Sequence, residues 1–265
     1  MRRNQLMWGV VLLLLGGLML ANSMGIRLPN GKSFTDLFWP LFLILLGGSV
    51  LFGIFFRGSA EVENVSIDLQ GAREASIKLE HGAGEFRVHG GAGMNEMVHA
   101  AISGGVEQKV NRNGDKLEIK MRPAHDFMSI PFISPSNQLD WDVALNANIP
   151  TSLRMNFGAN KSMIDLRDLN ITDLKLEMGA SDTQLTLPSK GRFNTDLDLG
   201  AASLIITIPD GLSARIKASL GAASINVDES RFPRSGGYYK SPDFEAAANA
   251  ADITIDAGAA SIKIK

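Results

Sequence analysis

Cysteine is missing altogether from these 265 residues, which excludes disulfides, thiolate chemistry and cysteine-type zinc sites. Histidine is scarce: His81, His89, His99 and His125 are the only four. Three of them fall on adjacent predicted strands and could converge on a metal, but none has the His-x-His or His-x-x-x-His spacing of a ligand pair. Strand-end or surface histidines are therefore the expectation. The glycine string from His89 to Gly93 lacks the Gly-x-Gly-x-x-Gly spacing and the helix that a phosphate cradle needs. No Gly-x-Ser-x-Gly is present either. Basic excess is absent too, with 26 Lys and Arg against 28 Asp and Glu and a net charge of −2. Without a Lys/Arg cluster along any strand, a nucleic-acid partner is not expected. Asp165, Asp168, Asp196 and Asp198 could suggest calcium or paired-carboxylate hydrolysis. Asp196 and Asp198, however, alternate with Leu197 and Leu199 and so face away from the core. The expectation is a non-enzymatic chain with no catalytic residue, no metal and no cofactor.

What the chain does have is a repeat. Gly158, Gly179, Gly200 and Gly221 follow one another at 21-residue steps, each followed by Ala and two residues further small or polar. A further copy closes the sequence as Gly258-Ala-Ala-Ser261, and an earlier one lies at Gly82. A fixed period without insertions means stacked, near-identical units. Within a unit the apolar residues alternate, and the parity of alternation switches across the Gly-Ala-x-Ser step. That pattern predicts strand, small-residue corner, strand, with both strands facing one core. Glycine suits the corner because it accepts a positive φ, and the small Ala and Ser let neighbouring corners stack closely. Pro188 and Pro209-Asp-Gly211 end the outgoing strands. On this register Leu199, Ile206, Leu220 and Ile225 are expected to be buried. Upstream, residues 97–103, 106–112 and 116–121 read as strands, with Asn113-Gly114 as a hairpin turn. Residues 122–139, with three prolines, read as a long loop before a strand over 141–149. Residues 229–249 interrupt the period, with a loop around Tyr238 and Tyr239 and a helical turn from Phe244.

The first sixty residues are different material. Leu6–Ala21 and Leu37–Phe56 are uncharged apolar runs, the second long enough to cross a hydrocarbon core of roughly 30 Å. Trp8 through Gly16-Gly17 aligns with Trp39 through Gly47-Gly48, so the two runs are copies, each opened by an interfacial Trp. Paired glycines would let two helices approach closely. A transmembrane helical hairpin over 1–58 is predicted, followed by an N-terminal β section over 59–150 and a repetitive β stack over 151–265. Arg2-Arg3, the apolar run and Ala21-Asn-Ser23 also fit a cleaved signal peptide. Arg2, Arg3 and Arg57 outnumber Arg27 and Lys32 of the loop by a narrow margin, which favours cytoplasmic ends and a cytoplasmic β domain in the plasma membrane.

Taken together, the paired Trp…Gly-Gly runs resemble the LiaI/LiaF-like transmembrane region. The Gly-Ala-x-Ser units, with the stretch from Leu79 to Ala92, resemble the toastrack β domain of LiaF-like bacterial envelope-stress proteins. The resemblance implies an all-β, stacked, solenoid-like fold behind a two-helix membrane hairpin. It further implies a bacterial membrane protein with a non-enzymatic domain, in some members one that restrains a sensor kinase. LiaF-like proteins usually carry more transmembrane helices than the two here. The family supplies no catalytic residues to carry over.

The functional expectation is a membrane-anchored β scaffold or regulator in contact with the lipid bilayer, acting through a protein partner or self-association. Its rivals are a surface-exposed structural or adhesive module, which requires the opposite topology, and an enzyme whose histidine strands converge on a pocket. The final strand, Ala260–Lys265, is expected to end the stack with its lysines outward. The nearby aromatics Tyr238, Tyr239 and Phe244 are the candidate interaction surface; Phe127, Phe132 and Trp141 mark a second exposed aromatic group.

Overall fold

The computed structural model describes residues 62–124 and 139–265, together with Gly16, Gly17 and Leu20, which are helical. The predicted transmembrane hairpin, and also His125, Phe127 and Phe132, therefore lie outside the described residues. Among the described residues no helix is long and apolar enough to cross a membrane.

The β unit is built from strands β1 (Val62–Asp68), β2 (Glu74–Gly90), β3 (Glu96–Ser103), β4 (Val106–Asn113), β5 (Lys116–Pro123) and β6 (Trp141–Leu145). It continues through β7 (Thr151–Asp165), β8 (Ile171–Met178), β9 (Asp182–Thr186), β10 (Arg192–Leu199) and β11 (Ser203–Thr207). Strands β12 (Ser213–Leu220), β13 (Ser224–Val227), β14 (Arg234–Ser235), β15 (Tyr238–Lys240), β16 (Ala250–Ala257) and β17 (Ser261–Ile264) complete it. Each unit of the stack is bent. A first arm runs up to the glycine corner and a second arm leaves it.

First arms pair in parallel, in the order β2, β7, β8, β10, β16, β12. Second arms pair in parallel too, through β7, β9, β11, β17 and β13. The long strands β2 and β7 pass through their corners without interruption and supply both arms. At the β2 end the two arms part company. The first is extended by β5 and then β4, the second by β6, β3 and β1.

Alternation puts one face of every arm inward, as the sequence predicts. Leu197, Leu199, Leu204 and Ile206 are buried, while Asp196 and Asp198 face solvent. Two of the four residues expected to be buried behave differently. Leu220 is 37% exposed and Ile225 only half-buried. They occupy the same repeat positions as Leu199 and Leu204, so the register holds; they lie at the end of the stack and lack a unit above them.

That end is not where the order of the chain places it. The last repeat copy does not close the stack: β16 lies between β10 and β12, and β17 between β11 and β13. Lys263 therefore belongs to an internal strand, and the terminal unit is the one around Gly221. The strand expected over 141–149 ends at Leu145, and the helical turn expected from Phe244 is a short turn in which the Ala246 and Ala247 N–H groups donate to the Asp243 carbonyl. Ala250 onward is strand.

The corners also correct the reason for their glycines. None of Gly158, Gly179, Gly200, Gly221 and Gly258 has a positive φ. A Cβ on Gly158 would instead lie 2.3 Å from the Gly82 carbonyl oxygen; on Gly179, 2.9 Å from that of Gly158; and on Gly200, 2.9 Å from that of Gly179. Close approach of backbone to backbone selects glycine here, not left-handed geometry. The column is tied by the Gly and Ala N–H groups of each corner donating to the corner below, as from Ala201 to Gly179 and from Ala259 to Gly200.

Candidate interaction surface

The terminal unit is partly covered by the segment that interrupts the repeat. Strand β15 adds antiparallel to β12, opposite Arg215 and Ile216, and β14 folds back on β15. Ser241 fastens the segment: its N–H donates to the Ala214 carbonyl and its hydroxyl accepts from the Ala214 N–H, both at 2.9 Å. Ser213 Oγ donates to Asp243 at 2.7 Å. On the other side Arg231 donates to the Ile208 carbonyl at 2.8 Å while lying over the buried Phe232.

The three aromatic candidates fall into two roles. Tyr238 and Tyr239 lie on the hairpin, half-buried, with Lys240 over the Tyr238 ring at 5.9 Å and Arg234 over the Tyr239 ring at 5.8 Å. Phe244 is 4% exposed, with the Arg215 and Arg192 guanidiniums over its ring at 5.1 and 5.6 Å. It underpins the surface from within. Arg215 is itself ion-paired with Asp252 of β16, and Arg192 donates to the Ala247 carbonyl at 2.6 Å. Hydrogen bonding to Asp252 raises the Arg215 pKa further. The hairpin is thereby anchored to the last-made unit as well as to β12. Trp141, the other aromatic candidate that is described, is 1% exposed and belongs to the core.

Among the described residues, His81, His89 and His99 do not converge. His81 is buried, donates through Nε2 to the Leu139 carbonyl at 2.8 Å, and packs on Phe86 and Trp141 with ring centroids 5.0 and 5.5 Å away. Burial, opposed by the Leu139 carbonyl and the Asp140 charge, pushes its pKa below the ordinary value. His89 sits at the surface against Asp142 and the Gly90 carbonyl. Partial burial opposes its protonation, but those two partners prevail and raise its pKa. His99 is on β3 beside Glu96, separated from β2 by β6. Among the described residues no three His, Asp or Glu side chains come together as metal ligands. A polar seam behind the corners was not foreseen from sequence: Asn160, Ser162, Ser181 and Thr183 are buried on neighbouring units, with Asn160 donating to Ser162 Oγ at 2.9 Å. The small polar residue after each corner was its only sequence signal.

Comparison with solved structures gives a proposed cell adhesion protein from Clostridium sporogenes, with a TM-score of 0.67 and 21% identity over 78% of this chain and 99% of that one. At that identity the likeness concerns the fold alone. A proposed adhesin from Bacteroides fragilis matches at a TM-score of 0.31 and 8% identity over 78% of this chain and 98% of that one, too low to support an argument. No curated protein matches the chain. Residues 6–51 match the LiaI-LiaF-like transmembrane region, which makes this a membrane-associated module. Residues 56–207, more than half of the chain, match the N-terminal domain of toast_rack, DUF2154, and the chain belongs to that family.

Proposed function

We propose that this chain is a membrane-anchored, non-enzymatic β scaffold that works through protein contact in the bacterial envelope-stress response. Residues 1–58 form the helical hairpin in the plasma membrane, residues 59–265 lie on the cytoplasmic side, and the stack end beneath the Tyr238–Tyr239 hairpin is the contact surface. The division at residue 150 separates a rigid base from the repeats that carry this surface. One observation carries the reading: a rigid β column ends in a firmly anchored hairpin with two half-exposed tyrosines, and such aromatics anchor interfaces at low entropic cost.

The test is the double variant Tyr238→Ser, Tyr239→Ser in the full-length protein. It should stay folded, because Ser241, Phe244 and Arg231 still hold the segment, and should lose cross-linking to its partner. A folded variant that keeps every cross-link refutes the surface.

The fold shared with an adhesion protein favours a second reading, an outward-facing adhesive module. Ala201→Cys, at an exposed corner of this cysteine-free chain, separates the two. On the first reading an impermeant thiol reagent labels it only after lysis; labelling in intact cells favours adhesion.

A further inference from the structure

We infer that the open edge of the terminal unit, β12 beyond Ile216 together with β13, is a self-pairing seam that joins two copies of this chain end to end about a twofold axis. The inference rests on the scaffold reading above and names its partner.

Among the described residues no strand fills this edge. Ser224 and Asp228 donate their N–H groups to the Ala260 and Ile264 carbonyls of the β17 side. By the period of a strand, Ile225 and Val227 then turn their N–H and C=O groups away from the stack. On β12, Ser213 and Gly221 donate toward the β16 side, to Asn249 and Ala257, so Ala214, Ile216, Ala218 and Leu220 face outward. Ala214 and Ile216 are taken by the Ser241 and β15 contacts. Ala218 and Leu220 have no strand beside them among the described residues. Their side chains, with those of Ile225 and Val227, line the core face, where Leu220 is 37% exposed.

Edges at the other end of the unit are guarded differently. Strand β4 presents Glu107, Lys109 and Arg112, and β1 presents Glu63 and Asp68, charges that discourage strand addition. Strand β13 carries no charge within Ser224–Val227.

A second copy fits this edge by symmetry. Rotation about an axis through the corner, between Ala222 and Ala223, lays β13 of one copy antiparallel along β12 of the other, on both arms at once. Leu220 then faces Ile225, and Ala218 faces Val227, as hydrogen-bonded pairs that exchange both bonds, with all four side chains entering one continuous core. Strand β15 already demonstrates that β12 accepts an antiparallel neighbour on this side, and Tyr238 stands where the incoming strand would stop. A self-complementary patch of this kind closes as a dimer and does not propagate.

The absence of cysteine makes the test clean. Ser219 and Asn226 face each other across the seam as a non-hydrogen-bonded pair, close enough for a disulfide, yet sit on different arms of one chain. Full-length Ser219→Cys and Asn226→Cys chains, differently tagged and co-expressed in one membrane, should give a mixed disulfide on mild oxidation. Leu220→Lys, placed at an exposed edge position, should abolish that disulfide without lowering the unfolding temperature. No mixed disulfide between folded chains overturns the seam. Stronger self-linking of either single variant, or persistence of the mixed disulfide in Leu220→Lys, also overturns it. Should the seam fail while Tyr238→Ser, Tyr239→Ser still abolishes cross-linking to another protein, the scaffold reading survives and self-pairing alone is lost.

Discussion

The two ends of the β column are built on opposite terms. At the Gly82 end the corner is tight: a Cβ on Gly158 would meet a backbone oxygen at 2.3 Å. Both arms there continue into further strands, and His81, Phe86, Trp141 and Phe157 fill the base, with Phe86 and Phe157 edge to face at 4.8 Å. At the Gly221 end the same contact relaxes to 3.1 Å, β15 covers only two residues of β12, and among the described residues no strand lies on the outer edge of β13. The same Gly-Ala corner thus sits in a dense interior at one end and on a half-solvated rim at the other. Position in the stack, not the motif, sets how much each residue contributes.

The largest test of this contrast uses two leucines one repeat apart. Leu199→Asp buries an unpaired carboxylate at a site that is 4% exposed and should cost about 4 kcal/mol, enough to unfold a marginal domain. Leu220→Asp at 37% exposure should cost no more than about 1 kcal/mol. Urea midpoints of the two variants give the comparison, and equal shifts would abolish it. Glycine substitutions follow. Gly158→Ala drives a methyl into the Gly82 carbonyl and should cost about 3 kcal/mol by overpacking. In Gly221→Ala the rim can give by a few tenths of an ångström, and the entropic gain of alanine offsets much of the strain, leaving the change within about 1 kcal/mol. Thermal unfolding of the pair tests whether the column loosens upward.

The smallest effect is a pH dependence confined to the base. Burial depresses the pKa of His81 in the folded state, so both states are neutral well above its ordinary value of 6.5. As pH falls through that value the unfolded chain takes up the proton first, and stability declines until the folded-state pKa is passed. His89 works in reverse: its pKa is raised, so its contribution is complete in acid and disappears as pH rises through the raised value. Unfolding at pH 8 and pH 5 should therefore show a smaller acid loss in His81→Gln than in the parent, and a larger one in His89→Gln.

The repeat, the bend at each corner and the inward face of every arm were legible because alternation and glycine spacing are local. The slot order was not. The step from β9 to β10 moves one strand position and that from β11 to β12 moves two, about 4.8 Å against about 9.6 Å, yet five residues connect each pair, 187–191 and 208–212. A two-slot step leaves no trace in the 21-residue period, so the period alone places the last copy at the end of the stack. Of the candidate surface, Tyr238 and Tyr239 are expected on a loop beside the last repeat copy; they instead form strand β15, beside β12 of the unit around Gly221. Phe244 and Trp141 were misjudged as exposed because burial of an isolated aromatic depends on distant partners: Arg192 and Arg215 for one, Phe86 and His81 for the other.

The late arrival of β16 and β17 makes them a keystone. Until residues 250–264 have been synthesised, β10 and β12 cannot meet a common neighbour, and the nascent column holds an open slot with parallel edges on both sides. A segment that supplies the matching Gly-Ala-x-Ser arms in trans, as a peptide or from another chain, could fill that slot before the chain's own unit does. Completion of the domain is thus a race settled only when β16 and β17 have been made, and the order in which the strands are made becomes a point at which assembly is controlled.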